Sequence, residues 1–153
     1  MHDLFDPSEE EGEAEGGSVK QLFLSIDCER QSFLNSSGLR ENNDCTVKGL
    51  ARASGVLYAV AHSAMKAAGR KERKGVRLAA LIEDRKIPGF LFRNLNIPTM
   101  TIARFVRENP TGRFLIRRRK HAFAIADGVV LDDNKRKPLD RITHAWVAHY
   151  IYQ

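Results

Sequence analysis

The chain is short of cysteine. It holds two, Cys28 and Cys45, in 153 residues. Two are too few for a disulfide framework, and in a reducing compartment both are thiols by default. They are also too far apart for a zinc knuckle, so no metal site is expected. No glycine-rich phosphate loop is present, and no cofactor is expected. No apolar run approaches the roughly 18 to 20 residues of a membrane span. The N-terminus opens acidic rather than basic and then apolar, so it does not read as a secretory signal. The expected place is the cytoplasm of the producing cell, or a particle that packages the protein.

Basic residues are missing from one stretch only. Residues 1–17 contain seven acids (Asp3, Asp6, Glu9, Glu10, Glu11, Glu13 and Glu15) and no Lys or Arg. All 25 Lys and Arg therefore lie in residues 18–153, and the overall +6 conceals +13 on that part. The first segment is Glu- and Gly-rich, with too little apolar surface to offset its ordering entropy, and is expected to be a disordered tail. Residues 18–153 are then one domain of ordinary soluble composition, 42% hydrophobic and 29% charged over the whole chain. Its basic surface attracts polyanions without regard to sequence, so nucleic acid is a candidate partner.

Along the domain, Val19–Ile26 reads as a first strand and Asp27–Arg40 as polar, irregular chain with a loop at Ser36-Ser37-Gly38. Asp44–Ser54 reads as a helix. Asp44 or Asn43 caps it, Val47, Leu50, Ala51 and Ser54 fall at helical spacing, and Gly55 ends it. Leu57–Ala68 is a second helix, with Leu57, Val60, Ala61, Ala64 and Met65 on one side. Arg70–Gly75 is a solvated basic turn, and Val76–Glu83 and Thr99–Glu108 are further helices. Ile87–Pro98, with two prolines, carries no clear pattern. The pattern then changes to strands over Arg113–Arg119, His121–Ala126, Val129–Asn134 and Arg141–Tyr152. Asp127-Gly128 is a two-residue hairpin signal. Helices followed by an antiparallel meander indicate an α+β fold.

Cys45 stands out because a thiol at the first position of a helix feels the partial positive charge of the helix N-terminus, which favours thiolate. The free N–H groups there supply part of an oxyanion hole. Asp44 beside it opposes this activation, so a base is required. The hairpin provides one. With Asp127-Gly128 as the turn, His121 faces Asn134, Phe123 faces Asp132 and Ile125 faces Val130. Facing residues share one side of the sheet, so His121, Asp132 and Asn134 project together. Asp132, diagonal to His121, is the expected orienter of the imidazole, and Asn134 is the alternative.

Asn43-Asp44-Cys45-Thr46-Val47-Lys48, Gly69-Arg70, and His121-Ala122-Phe123-Ala124 with Asp127-Gly128-Val129-Val130 together resemble the papain-like cysteine peptidase superfamily, and within it the small phage-encoded members. The Asp44-Cys45 pair is also similar to the NlpC/P60 cell-wall peptidases. The resemblance implies a helix-start cysteine packed on a small antiparallel sheet. It further implies Cys45 as nucleophile, His121 as base and then acid, and Asp132 as orienter, with acyl transfer through a thioester. Protein or peptide amides are the implied substrate, with peptidoglycan stem peptides as the alternative and phage particle components as partners. A non-catalytic virion or nucleic-acid-binding protein on the same fold is a further alternative. Papain carries an oxyanion glutamine six residues before its cysteine, where this chain has Leu39. Asn42, Asn43 or backbone alone are the candidates for that role. Cys28, in a polar segment, is expected to be inert, His144 to be a half-buried strand residue, and His62 and His149 to serve packing or surface. Arg117-Arg118-Arg119-Lys120 reads as a solvated strand edge, with anion binding near the site as the alternative.

Overall fold

A computed structural model of the chain describes residues 25–151. The expected acidic tail and most of the expected first strand lie outside those residues. Helix α1 covers residues 25–37, so Ser25 and Ile26 are helical rather than extended, and the stretch after them is not irregular. Its polar residues mislead because they are partners, not solvated side chains. Arg30 reaches Asp44, Asp27 reaches Arg52, and a Glu29 carboxylate oxygen accepts from the Tyr58 N–H. Among the described residues, Ile26 and Phe33 tie it to the core, the one buried and the other packed on Tyr58 and His62. Gly38 ends the helix at φ 74°, its N–H donating to the Leu34 carbonyl.

Helices α2 (Cys45–Ser54) and α3 (Tyr58–Ala67) follow. Gly55 closes α2 at φ 79°, its N–H donating to Ala51 O over 2.8 Å. Leu57, expected on the packed side of α3, is instead its N-cap and 55% exposed. Helix α4 (Leu78–Glu83) is shorter than the apolar pattern suggested, and the prolines of 87–98 bracket an edge strand, β1 (Phe90–Asn94). Next come β2 (Met100–Thr101) and α5 (Ile102–Glu108), where Thr101 Oγ1 accepts from the Arg104 N–H as a side-chain cap. Strands β3 (Arg113–Arg118), β4 (His121–Ala126), β5 (Val129–Leu131), β6 (Arg141–Ile142) and β7 (His144–Tyr150) complete the chain. The fold is α+β. Five antiparallel strands lie in the order β1-β7-β3-β4-β5, with a separate β2–β6 pair.

The last expected strand is therefore two. Ile142 pairs with Met100 in the small sheet and the chain crosses at Thr143 into β7. The Asp127-Gly128 hairpin has the expected register, Ala126 facing Val129 and Ile125 facing Val130. Both turn residues take positive φ, 50° and 80°, as a type I′ turn requires. Strand β5 stops at Leu131 instead of running to Asn134, so His121 has its ladder partner on the other side, Arg118 of β3.

Alternation divides the large sheet into two buried faces. Leu115, Ala122, Ala124, Ala126 and Trp146 face α1 to α4, while Phe114, Ile116, Phe123, Ile125 and Ala145 face α5 and the small sheet. All three residues that β4 turns toward the helices are alanine, and this lets α2 come close. At Gly49 the approach is closest: a Cβ there would lie 3.2 Å from Leu115 Cδ1 and 3.4 Å from Phe123 Cα.

Candidate active site

The site is built where the head of α2 meets the start of β4. Gly49 lies against Phe123. One helical turn back from Gly49 is Cys45, about 6 Å along the axis. Two strand residues back from Phe123 is His121, about 6.7 Å along β4. The two steps nearly match, so a helix lying along β4 brings Cys45 level with the first residue of the strand, where both it and His121 line the cleft. Lys48 and Arg52 on the same helix hold Asp133 just past β5, the arginine at 3.2 Å, which locks this alignment from the side.

The chain entering α2 is pinned by buried ion pairs. The Glu41 side chain is 0% exposed and accepts two hydrogen bonds of 2.9 Å from the Arg70 guanidinium, one of 2.9 Å from the Arg73 N–H, and a contact of 2.6 Å from His62 Nε2. Burial alone would raise the Glu41 carboxyl. The hydrogen bonds from Arg70, Arg73 and His62 outweigh it and hold the group down at about 2. Arg70 also donates to the carbonyls of Asn42 and Asn43, each at 3.4 Å. The turn at 70–75 was expected to be wholly solvated, but Arg70 is buried as this anchor.

Asp44 does not cap α2 with its side chain. Its carboxylate turns inward to Arg30 Nε at 2.7 Å and the Tyr58 hydroxyl at 2.8 Å, with Lys48 Nζ at 3.9 Å. Burial pushes the Asp44 carboxyl up, but hydrogen bonding from Arg30, the nearby Lys48 charge and Tyr58 leave it below its ordinary range. Asp44 is thus a buried, compensated anion, and the N–H groups at the head of α2 stay clear of it. This is how the fold handles the carboxylate next to the thiol.

Behind His121 lies Asp132, whose side chain is 3% exposed. Both carboxylate oxygens are 2.9 Å from His121 Nε2. The Asn134 N–H donates to Oδ1 over 3.1 Å, and Arg136 Nε lies 3.1 Å from Oδ2 as an ion pair not aligned as a hydrogen bond. With Nε2 taken, Nδ1 is the ring nitrogen left to serve Cys45. The His121 ring also stacks on Phe123, 5.9 Å between centroids. The Asp132 hydrogen bond first, then the one with Cys45, raise the His121 imidazolium to about 9 against the opposing effect of burial. Burial pushes the Cys45 thiol up, yet hydrogen bonds from His121 and the Ala122 N–H outweigh it and bring the thiol below its ordinary 9.0, even with Asp44 opposing. Each group thus favours the charged form of the other, thiolate beside imidazolium.

The pair opens into a cleft of about 480 Å³ lined by Cys45, Thr46 and Val76–Leu78 on one side and by Arg117, Lys120, His121 and Ala122 on the other. Thr46 Oγ1 is buried there with no hydrogen-bond partner among the described residues. Of the residues singled out in the sequence, Cys45, His121 and Asp132 are together. Asn134 meets Asp132 through its backbone only, not His121. Asn43 turns its side-chain amide to the Arg73 carbonyl at 3.3 Å, and neither it nor Asn42 lines the cleft. Cys28 is exposed on α1. His144 stacks on Trp146, 5.3 Å between centroids, and His62 is a buried partner of Glu41.

Of the basic run Arg117-Arg118-Arg119-Lys120, expected as a solvated strand edge or as an anion binder near the site, Arg117 and Lys120 line the cleft. Thr46 and Arg77 were not anticipated. Thr46, next to Cys45, carried a signal in its position alone, and only the fold brings Arg77 to the other two cations. Among the described residues, no group of three or more His, Cys, Asp or Glu is placed to hold a metal ion, and no helix is long and apolar enough to cross a membrane. No family model matches the chain, and no curated protein or solved structure matches it.

Proposed function

We propose that the protein is a papain-like thiol hydrolase that cleaves protein or peptide amides through a thioester. The observation that carries this reading is the His121 ring, held from behind by the buried Asp132 and lining one open cleft with Cys45 at the head of α2. The Cys45 sulfur attacks the carbonyl carbon, and the oxyanion is met by N–H groups at the start of α2 with the unpartnered Thr46 hydroxyl beside them. His121 gives its proton to the departing amine as the C–N bond breaks. It then takes a proton from the water that attacks the thioester, and the acid leaves as Cys45 is restored. Asp132 keeps the imidazole oriented and stabilises its charged form. Backbone fills the role considered for Asn42 and Asn43, since neither side chain lines the cleft.

The test is alkylation of Cys45 by iodoacetamide across pH, in a Cys28→Ser background because Cys28 is exposed. Cys45 is expected to react well below pH 8, and His121→Ala is expected to abolish that reactivity. A Cys45 that reacts no faster than glutathione throughout would sink the proposal. Casein against purified cell wall separates a protein substrate from peptidoglycan stem peptides. A second reading, a non-catalytic virion or nucleic-acid-binding protein, draws on the +13 of residues 18–153. It would be favoured by a salt-dependent gel shift together with an ordinary Cys45 thiol.

A further inference from the structure

Besides His121, Arg77, Arg117 and Lys120 bring positive charge to the cleft beside Cys45, and no carboxylate among the described residues lines it. Arg117 is the informative one. Every other buried or half-buried arginine among the described residues has a carboxylate within 4 Å: Arg30 has Asp44, Arg52 has Asp27 and Asp133, Arg70 has Glu41, Arg118 has Asp140 and Arg136 has Asp132. Arg117 has none among the described residues. Its side-chain partner there is a neutral one, Thr143 Oγ1, at 3.3 Å from Nη1.

The position of Arg117 is rigid. It sits on β3, between β4 and β7, facing Ala122 on one side and His144 on the other. Thr143 fixes it further, because both its N–H and its hydroxyl donate to the Arg117 carbonyl, at 2.9 and 3.2 Å. Facing residues share a sheet face, so Arg117 projects with Ala122 toward α2 and the cleft. Ala122 lines the cleft with Cys45, and its N–H helps to hold the thiol below its ordinary range. The guanidinium is therefore rooted one strand away, about 5 Å, from a residue that shares the cleft wall with Cys45. The charge is felt next door: burial and then Arg117 lower the His144 imidazolium, with the Glu83 carboxylate opposing them. A half-buried guanidinium without a carboxylate, one strand from the nucleophile, matches a carboxylate brought in by a ligand. Its planar donors suit that group better than a point charge would.

We infer that the cleft selects substrates with an acidic side chain next to the scissile amide, the carboxylate being held by Arg117 with Arg77 and Lys120 at the rim. This rests on the thiol-hydrolase reading, so the test has two readouts, both on the full chain in the Cys28→Ser background. In the first, matched peptide pools differ only in carrying Glu or Gln at each acidic position. The Glu pool is expected to be cleaved with a kcat/KM about tenfold higher, as a charge-assisted hydrogen bond in a partly buried site implies. Arg117→Gln is expected to remove that preference.

The second readout is the rate of Cys45 alkylation by iodoacetate relative to iodoacetamide. In both, the thiolate forms the S–C bond and iodide leaves, so the ratio reports only the welcome given to a carboxylate. It is expected to fall about fivefold in Arg117→Gln, in line with losing one charge-assisted contact. In the paired substitution Arg77→Gln with Lys120→Gln, at two exposed positions that do not threaten folding, the fall is expected to be smaller. Equal cleavage of both pools by the unsubstituted cleft, or an alkylation ratio unmoved in every variant, overturns the inference. A Cys45 no more reactive than glutathione toward iodoacetamide overturns the hydrolase reading instead, while the ratio still shows whether the cleft draws carboxylates.

Discussion

Replacing Asp132 by asparagine tests the electrostatics of the site while nearly keeping its shape. The His121 imidazolium stands at about 9 against an ordinary 6.5. At 1.36 kcal/mol per tenfold change in proton affinity, that difference is about 3 kcal/mol. The hydrogen bond from Asp132 is its largest cause and the one from Cys45 the second, with burial opposing both. Assigning Asp132 about half leaves roughly 1.5 to 2 kcal/mol for the substitution to remove, ten- to thirtyfold in imidazolium stability. The sign follows directly. A histidine whose folded value is raised keeps its proton up to about 9, so the imidazolium available as general acid is lost only as pH rises through that value. In Asp132→Asn the loss begins at least one pH unit lower.

The same substitution acts on the other side of the pair. Cys45 is brought down chiefly by hydrogen bonding with His121, against burial. A weaker imidazolium lets the thiol rise, and thiolate then appears only at higher pH. The bell-shaped dependence of kcat/KM on a peptide substrate is therefore expected to narrow from both limbs, with its maximum reduced about a hundredfold once lost orientation of the ring is added. Iodoacetamide alkylation of Cys45 in the Cys28→Ser background follows the acid limb without needing turnover. An alkaline limb that stays near 9 in Asp132→Asn, or an acid limb that does not move, would refute the chain of reasoning from Asp132 through His121 to Cys45.

Two further substitutions probe what holds the site together. Glu41 is depressed to about 2 from 4.5, so it stabilises the fold fully above 4.5 and loses that contribution as pH falls through about 2. The difference is worth about 3 kcal/mol. Urea unfolding at pH 7, 4 and 2.5 is expected to show that fall in the parent chain and a flatter profile in Glu41→Gln, which is already weaker at pH 7. Gly49→Ala sets a helix-propensity gain of about 1 kcal/mol against overpacking of about 1–3 kcal/mol, because the added Cβ meets Leu115 Cδ1 at 3.2 Å and the Phe123 backbone at 3.4 Å. Thermal unfolding is expected to show a small net loss, and Cys45 alkylation a larger one as α2 moves off β4; a stabilised protein with unchanged alkylation would contradict the packing argument.

The parts of the fold legible in the sequence are those with local causes. Helix α2 announced itself by its apolar spacing and by Gly55, and the hairpin by Asp127-Gly128, whose backbone needs positive φ twice. The hairpin register set the relation of Asp132 to His121 even though β5 stops at Leu131, because three ladder pairs suffice to aim the next residue. The parts that stayed hidden are those in which a polar side chain has a distant partner. Arg30, Asp27 and Glu29 made α1 look solvated, while their acceptors and donors lie on α2 and α3. Arg70 looked like one more charge in a basic run, and nothing local distinguishes it from Arg73; only Glu41, 29 residues earlier, makes it a buried anchor. Of the cleft cations, Arg117 and Lys120 showed in the sequence as one basic run, while Arg77 was hidden for the same reason, since it joins them only in space.

The conflict visible at Asp44-Cys45 is where these two kinds of information meet. By position alone Asp44 is both the natural cap of α2 and an electrostatic opponent of the thiolate, and the two roles cannot both be used at full strength. The fold weakens the opposition by turning the carboxylate inward, where Arg30 and Tyr58 bind it, though Asp44 still raises the Cys45 thiol somewhat. The head of α2 is thereby left without a side-chain cap. Orphan N–H groups at a helix start cost stability unless something accepts from them, and here they sit beside the sulfur at the cleft. The Thr46 hydroxyl next to them is also buried without a partner. An acceptor arriving in the cleft satisfies both, so the polar groups left unpaired lie where a developing oxyanion would need donors. The missing cap and the inward aspartate are then two aspects of one arrangement, in which helix stability is given up at Cys45 and recovered through the ion pairs of Asp44 and Glu41 that hold the loop before it.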